Sequence, residues 1–212
     1  MPIRPTAKGQ RIYRTKILPK LKKKVNRLYN QIEKKHKDFN FNPYFASDSG
    51  VSVACYLDEG DSSSQRTGLK VYGKSLEVRG QVLWSKSTSQ ETACRLLVVL
   101  DKNANGAVPA ITKILESQTV NSLYDNTNMG TRFVILKDKL FSNLNPSTTV
   151  NKDQAYKFKV KINRNMHFLD GGVTSSSLGR NMIYVLCISD VSSASALGPT
   201  SLIRARLTYD DL

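Results

Sequence analysis

The residues of this sequence best suited to chemistry are the lysines and arginines clustered in its first forty positions. This segment holds thirteen Lys or Arg and two acids, a net charge of +11, whereas the remaining 172 residues hold nineteen and fifteen. A basic segment on a nearly neutral body is typical of polyanion-binding proteins; the alternative is a solvated tail that keeps the protein soluble. We therefore predict phosphate contacts, without base recognition, from Arg4, Lys8, Arg11, Arg14, Lys16, Lys20, Lys22, Lys23, Lys24, Arg27, Lys34, Lys35 and Lys37.

An apolar stripe runs through the same cations. Its members are spaced three, four, three and four residues apart, which predicts an amphipathic helix over residues 18–38 after a disordered arm at residues 1–17. A lone helix of this length is marginal in water, and lysine repulsion weakens it further. We therefore expect helices of neighbouring subunits to meet, most naturally three around a threefold axis, along a seam of Leu18, Leu21, Val25, Leu28 and Ile32.

Residues 39–212 have the pattern of one β-rich domain. Apolar residues alternate in short segments separated by Ser-, Asn- and Gly-rich turns, which favours an antiparallel β-sandwich over a parallel α/β sheet. Splitting the long run Leu69–Trp84 at a bulge or bend near Gly73 gives eight strands, and Val108–Gln118 has the spacing of a short helix. The other predicted strands are Val51–Leu57, Thr92–Asp101, Thr131–Phe141, Tyr156–Asn163, Asn181–Ser189 and Ser201–Tyr209.

A second basic feature lies in the strand Tyr156–Asn163. Alternation places Lys157, Lys159 and Lys161 together on its outward face, where like charges repel one another unless an anion is near. We interpret them as further nucleic-acid-binding residues, with a lysine-protected edge strand as the equal alternative. Arg204 and Arg206 similarly share one face of the last strand.

Catalytic and metal-binding patterns are weak. His36 and His167 have no neighbouring nucleophile, and no nucleophile elbow, phosphate-binding glycine loop or H-E-x-x-H motif occurs. The three cysteines have no metal or disulfide spacing, so we expect buried free thiols. Oxygen ligands at Asp58, Glu59 and Asp61 could hold calcium, but solvated acids in a turn are favoured. We predict no catalytic residue, cofactor or metal, and no secretory signal or membrane span.

Several ordered motifs in residues 65–212 resemble a known group of proteins. The segments Lys74–Val82 (KSLEVRGQV), Arg95–Pro109 (RLLVVLDKNANGAVP), Ile114–Ser117 (ILES) and Thr131–Lys139 (TRFVILKDK) are similar to the capsid proteins of circovirus-like single-stranded DNA viruses. The order of a short basic helix and then a compact barrel resembles the coat proteins of the plant satellite necrosis viruses, which have RNA genomes. The lysine-rich, helical arm is closer to the second group, because circovirus tails are usually rich in arginine and irregular.

The resemblance implies a single eight-stranded antiparallel jelly roll that self-assembles into a small icosahedral shell of about sixty copies. The packaged genome would be single-stranded DNA, with RNA as the alternative, and the protein would reside in the virion and pass through the host nucleus or cytoplasm during assembly. The loops at 143–153, 170–179 and 192–200 are the candidates for the outer surface. A cellular nucleic-acid-binding protein with a basic arm on a β-sandwich is the competing interpretation.

Overall fold

A computed structural model describes residues 19–24, 34–43, 45, 51–84, 92–143, 153–191 and 199–211 of the chain. The chain divides into two units, Met1–Lys34 and Lys35–Leu212. In the first unit, residues 19–24 are helical and exposed, which confirms the predicted helix at these positions. The predicted disordered arm at 1–17 and helical residues 25–33 lie outside the described part.

The second unit is a sandwich of two antiparallel sheets. In sheet order, the five-stranded sheet is β1-β9-β3-β6-β7 and the four-stranded sheet is β2-β8-β4-β5. With the three-residue strand β7 set aside, this order of eight strands in two facing sheets is the jelly roll that was predicted. The strands in the described residues are β1 Lys34–Phe41, β2 Val51–Val53, β3 Lys70–Leu83, β4 Thr92–Asp101, β5 Phe133–Asn143, β6 Gln154–Phe168, β7 Leu178–Arg180, β8 Met182–Ser189 and β9 Thr200–Asp211.

Strand β1 corrects the predicted helix. The helix was expected to run through Asp38, but Lys34–Phe41 is a strand at the edge of the five-stranded sheet, beside β9. Its exposed residues alternate with buried or half-buried ones, the period of a strand. Asp38 and Asn40 disfavour a helix interior, and the aromatic Phe39 and Phe41 favour strands.

Strand β3 also differs from expectation. The run was predicted to split into two strands at Gly73, but it is one strand of 14 residues that carries a register shift between Gly73 and Ser75. The predicted bulge is therefore confirmed, and the split is wrong. The inner face at Gly73 is crowded, because a Cβ there would lie 2.7 Å from the sulfur of Met166.

The four-stranded sheet is covered on both faces. All eight residues of β8 are buried, as are Leu96–Asp101 of β4. Because the five-stranded sheet can cover only one face, the β4–β5 connection at residues 102–132 must cover the other, and its Ile114 and Leu115 are fully buried. The short helix predicted at Val108–Gln118 is only a 3₁₀ turn at Ile111–Lys113, since its apolar spacing serves this packing.

The loops between β6 and β8 are ordered locally. Residues Ser175–Ser177 form a 3₁₀ turn, and Gly179 already belongs to β7. The loops predicted at 143–153 and 192–200 lie mostly outside the described residues, which omit 144–152 and 192–198. Which loops form an outer surface therefore stays a prediction.

Candidate nucleic-acid interface

The predicted cations of the first unit are only partly described. Lys20, Lys22, Lys23 and Lys24 are exposed on helical residues, so they present their charges to solvent. Leu21, on the same helical segment, is 54% exposed. The other predicted cations up to Arg27, and the other seam residues Leu18, Val25, Leu28 and Ile32, lie outside the described part. Lys34 is exposed at the beginning of β1.

Lys35 and Lys37 are used differently from the prediction. The side chain of Lys35 is only 2% exposed, its Nζ lies 2.8 Å from Asp211 Oδ2, and it donates a hydrogen bond to the backbone oxygen of Gln65. A phosphate cannot reach that charge, so the assignment of Lys35 to nucleic-acid binding is wrong. Lys37 Nζ lies 2.8 Å from Asp58 Oδ1, and this hydrogen bond lowers the pKa of Asp58. These ion pairs connect β1 to β9 and to the segment that contains Asp58.

Six cations share the outer face of the five-stranded sheet, and we call this set the cationic face. All six are exposed, while their sequence neighbours Val78, Val160 and Ala205 are buried, as strand alternation requires. The predicted outward orientation of the three β6 lysines is thereby confirmed. The cationic face consists of Arg79 of β3, Lys157, Lys159 and Lys161 of β6, and Arg204 and Arg206 of β9.

The strand register aligns these cations across the sheet. Arg79 lies opposite Lys157 on one side and Arg204 on the other. Adjacent strands are about 4.8 Å apart, so these three residues form a continuous row of positive charge. In the next row Glu77 lies opposite both Lys159 and Arg206, and negative charge therefore separates the cations there.

Two carboxylates bind cations of this face. Glu77 Oε1 lies 2.7 Å from Arg79 Nη2 and 3.7 Å from Lys157 Nζ. The hydrogen bond from Arg79 lowers the pKa of Glu77, and the nearby lysine charges add to that effect. Asp38 accepts hydrogen bonds of 2.6 and 2.7 Å from Arg206, which lower its pKa. The six cations therefore exceed the two bound carboxylates by four.

Edge protection accounts for only part of the cationic face. Strand β7 pairs with β6 only at His167 and Phe168, so within the described residues Lys157–Lys161 do border an open edge. That position alone would fit lysines that block strand addition. Arg79 and Arg204, however, lie on β3 and β9, which are paired on both sides. Cations on interior strands protect no edge, and the arrangement favours an anionic ligand.

The sequence prediction placed Arg204 and Arg206 on one face of the last strand, but it did not assign them or Arg79 to the site. Their outward orientation is visible in the alternation of β3 and β9, where Arg204 and Arg206 are flanked by buried residues and Arg79 follows the buried Val78. Their proximity to the β6 lysines depends on which strands pair and in which register, and local patterns do not contain that information.

Other chemistry finds little support in the described residues. Within them, no group of three or more His, Cys, Asp or Glu side chains is arranged to hold a metal ion, and none of the helices there is long and apolar enough to cross a membrane. Cys55, Cys94 and Cys187 are free and buried, as predicted. Burial raises the pKa of the Cys55 thiol to about 12, which makes it unreactive.

Solved structures of a viral particle show a distant similarity. A structure of infectious bursal disease virus, Gx strain, matches with a TM-score of 0.30 and 10% identity, covering 82% of this chain. A structure of the T13 particle of that virus matches with a TM-score of 0.23 and 9% identity, covering 85% of this chain. The chain spans about a third of each of these proteins, 32% and 36%.

The amino-acid sequence is similar to those of satellite-virus coat proteins. A coat protein of Maize white line mosaic Satellite virus is 29% identical over 157 residues, which is 74% of this chain and 70% of that protein. The family model for the satellite tobacco necrosis virus coat protein matches residues 7–211, nearly the whole chain. Of the two groups that the sequence resembles, this is the satellite-virus group, and a coat protein has a structural role in the virion. The chain therefore belongs to the satellite tobacco necrosis virus coat protein family and is a viral coat protein.

Proposed function

We propose that this coat protein self-assembles into a small icosahedral shell and packages a single-stranded genome through its basic arm and helix. The observation that carries the proposal is the charge asymmetry of a coat-protein chain. Residues 1–33 hold ten cations and one acid, a net charge of +9. The four described helical lysines of this segment are exposed, as phosphate binding requires.

The exposed Leu21 supports a role for the helix in assembly. An apolar side chain that is 54% exposed on a helix of lysines gains free energy if another protein surface covers it. We propose that helices of neighbouring subunits meet there, three around a threefold axis, along the seam of Leu18, Leu21, Val25, Leu28 and Ile32. Phosphates would then screen the lysines on the outside of the bundle.

The positive charge of the assembled subunits gives an approximate genome length. The smallest icosahedral shell has about sixty subunits, so arms of net charge +9 supply about 540 positive charges. This is less than the full charge of residues 1–40 suggests, because Lys35 and Lys37 are neutralised within the body. We propose that the cationic face adds about four charges per subunit, so that the shell balances a strand on the order of 800 nucleotides.

The family supports a choice of genome type. We propose RNA rather than single-stranded DNA, because the matching family is that of the satellite necrosis viruses, whose resemblance implies an RNA genome. A cellular nucleic-acid-binding role is not retained for a viral coat protein. We propose assembly in the host cell, in the nucleus or the cytoplasm, with the virion as the final location.

Purified full-length protein tests this proposal. We expect uniform small particles by negative-stain electron microscopy, and nuclease-protected RNA inside them. Replacing Lys20, Lys22, Lys23 and Lys24 by Gln should lower the protected nucleotides by about four per subunit. The control Lys113→Gln, an exposed lysine of the β4–β5 connection, should leave packaging unchanged.

The helix seam is tested by a second pair of variants. Leu21→Gln should reduce particle yield strongly, because few apolar residues form the helix seam. The neighbouring Lys22→Gln should have little effect, because many cations share the binding of phosphate. A wild-type protein that remains a monomer under all salt conditions, or particles that protect only double-stranded nucleic acid, would contradict the proposal.

A further inference from the structure

A groove crosses the outer face of the five-stranded sheet beside the β6 lysines. Its volume is about 500 Å³. Strand β9 forms its floor with Arg204 and Arg206, and β1 and β3 form its two sides. Strand β1 lines the groove with Asp38 and Asn40, and β3 lines it with Glu77 and Arg79.

The register divides this groove into two halves. Asp38 binds Arg206 and Ser201 donates to the backbone oxygen of Pro43, so β1 is antiparallel to β9 and Asn40 lies opposite Arg204. The first half is therefore Asp38, Arg206 and Glu77, a guanidinium between two carboxylates. The second half is Asn40, Arg204 and Arg79, which contains hydrogen-bond donors and no carboxylate of its own.

Arg204 is the central group of the second half. Within the described residues its side chain has no hydrogen bond or ion pair, although it is exposed beside Arg79. Arg79 is held from one side only, because Glu77 Oε1 accepts a hydrogen bond of 2.8 Å from its Nε and forms an ion pair of 2.7 Å with its Nη2. This contact orients the guanidinium of Arg79. Within the described residues its Nη1 group has no hydrogen-bond partner, and Arg204 lies opposite Arg79 in the strand register.

We propose that Arg204, Arg79 and Asn40 form a built phosphodiester site for the packaged single strand, separate from the arm. This proposal deepens the packaging function and rests on it. A guanidinium fork matches the two free oxygens of a phosphodiester, and the Asn40 amide supplies one neutral donor and one acceptor. The acceptor suits a sugar hydroxyl or a base edge next to the phosphate.

Charge favours a nucleic acid over a small anion at this site. The row continues from Arg79 to Lys157, and Lys159 and Lys161 follow on the same strand. The positive surface is thus extended, as a chain of phosphates requires. The positive surface ends at the first half of the groove, where Asp38 and Glu77 neutralise Arg206 and repel a nucleic-acid strand.

Oligonucleotide binding to the full-length chain tests this site. Fluorescence anisotropy with labelled oligouridylate and oligothymidylate would be measured between low and moderate salt. We expect Arg204→Gln to weaken binding about 5- to 10-fold at low salt and to lower the slope of log K against log salt by about one. Lys113→Gln, the matched loss of one exposed charge elsewhere, should weaken binding less than about 2-fold.

Two further variants separate a built site from general charge. Arg204→Lys should keep the salt slope and lose about 2- to 3-fold in affinity, because the charge remains and the fork is lost. Glu77→Gln should strengthen binding about 2- to 3-fold, since a carboxylate that competes with the phosphate is removed. Thermal unfolding of each variant verifies that it folds.

The outcomes distinguish this site from the arm. Equal affinities for Arg204→Gln and Lys113→Gln, combined with lost binding in the Lys20, Lys22, Lys23 and Lys24 variant, would overturn the groove and leave the packaging function standing. No binding by the wild-type protein would overturn the packaging function itself. A change in sedimentation of Arg204→Gln without oligonucleotide, at unchanged affinity, would identify a subunit contact and overturn the site.

Discussion

The two sheets of this sandwich treat their outer faces in opposite ways. The four-stranded sheet is covered by the β4–β5 connection, and every residue of β8 is buried. The five-stranded sheet leaves its outer face exposed, with six cations on β3, β6 and β9. The shared core needs only the inner faces, so each outer face is free to take another role. One outer face adds to stability, and the other is available to a ligand.

The covered face holds its own polar connections. Arg95 of β4 donates to the carboxylate of Asp138 and to the backbone oxygens of Val120 and Ser122 in the connection. Burial raises the pKa of Asp138, but the hydrogen bonds from Arg95 and Tyr124 outweigh it and the pKa is lowered overall. This half-buried charge pair is satisfied within the subunit, unlike the row of cations on the other sheet.

The largest expected effect concerns the covering segment. Leu115→Ala removes a side chain that is fully buried between the connection and the sheet, so the free energy of unfolding should fall by about 4 kcal/mol. Urea denaturation, at concentrations where the wild-type protein sediments as a monomer, measures this. Leu123→Ala in the same segment is the control, because Leu123 is 72% exposed and should change stability by less than about 0.5 kcal/mol.

Oligonucleotide affinity completes this first test. The Leu115→Ala protein, where still folded, should bind single strands as the wild-type protein does, since the covered face contributes no contact. A loss of affinity comparable to that of Arg204→Gln would show that the two outer faces are not independent.

A second prediction concerns a charge pair of the five-stranded sheet that lies off its cationic face. Lys35 is buried against Asp211, and Asp211→Asn should lower the free energy of unfolding by about 3 kcal/mol at neutral pH. Burial raises the pKa of Asp211, but hydrogen bonds from Lys35 and Thr67 outweigh it, so its folded-state pKa lies below the ordinary 3.8. The stabilisation is therefore fully present above about pH 4 and is lost as the pH falls through the folded-state value.

Urea midpoints at pH 7 and pH 3 measure this dependence. The difference between the wild-type protein and Asp211→Asn should be large at pH 7 and shrink toward pH 3. A difference that is the same at both pH values would mean that the Lys35–Asp211 pair does not carry the charge that stabilises β1.

The burial of Lys35 could not be predicted from its local sequence. The cations near it continue the basic composition of the arm, and the heptad spacing upstream extends the helical pattern into residues 34–38. Phe39 and Phe41, which alternate with Asp38 and Asn40, are a local signal for a strand, but the segment is too short and too polar for that signal to outweigh the helical spacing upstream. The partner that makes a buried lysine tolerable, Asp211, lies at the other end of the chain, so only the fold reveals it.

The body of the domain was more predictable. Strand β4 matches its predicted bounds, Thr92–Asp101, because a continuous apolar run flanked by turns has few alternatives. The orientation of Lys159 followed from period-two alternation alone. The proximity of Arg204 to Arg79 did not, because it depends on the pairing of β3 with β9 across more than half of the chain.

The smallest expected effect on stability compares the two faces of one strand. Lys159→Ala on the outer face of β6 should change the free energy of unfolding by less than about 0.5 kcal/mol. Val160→Ala, the next residue, removes a side chain that is 6% exposed and should cost about 2 kcal/mol. Urea denaturation separates the two, and oligonucleotide affinity should reverse their order. A lysine that adds little to the stability of the subunit, yet lies among five other cations that Glu77 only partly offsets, leaves positive charge that an external anion can bind. If Lys159→Ala instead destabilised the fold as much as Val160→Ala, the cationic face would be a structural feature and its case as a genome contact would fail.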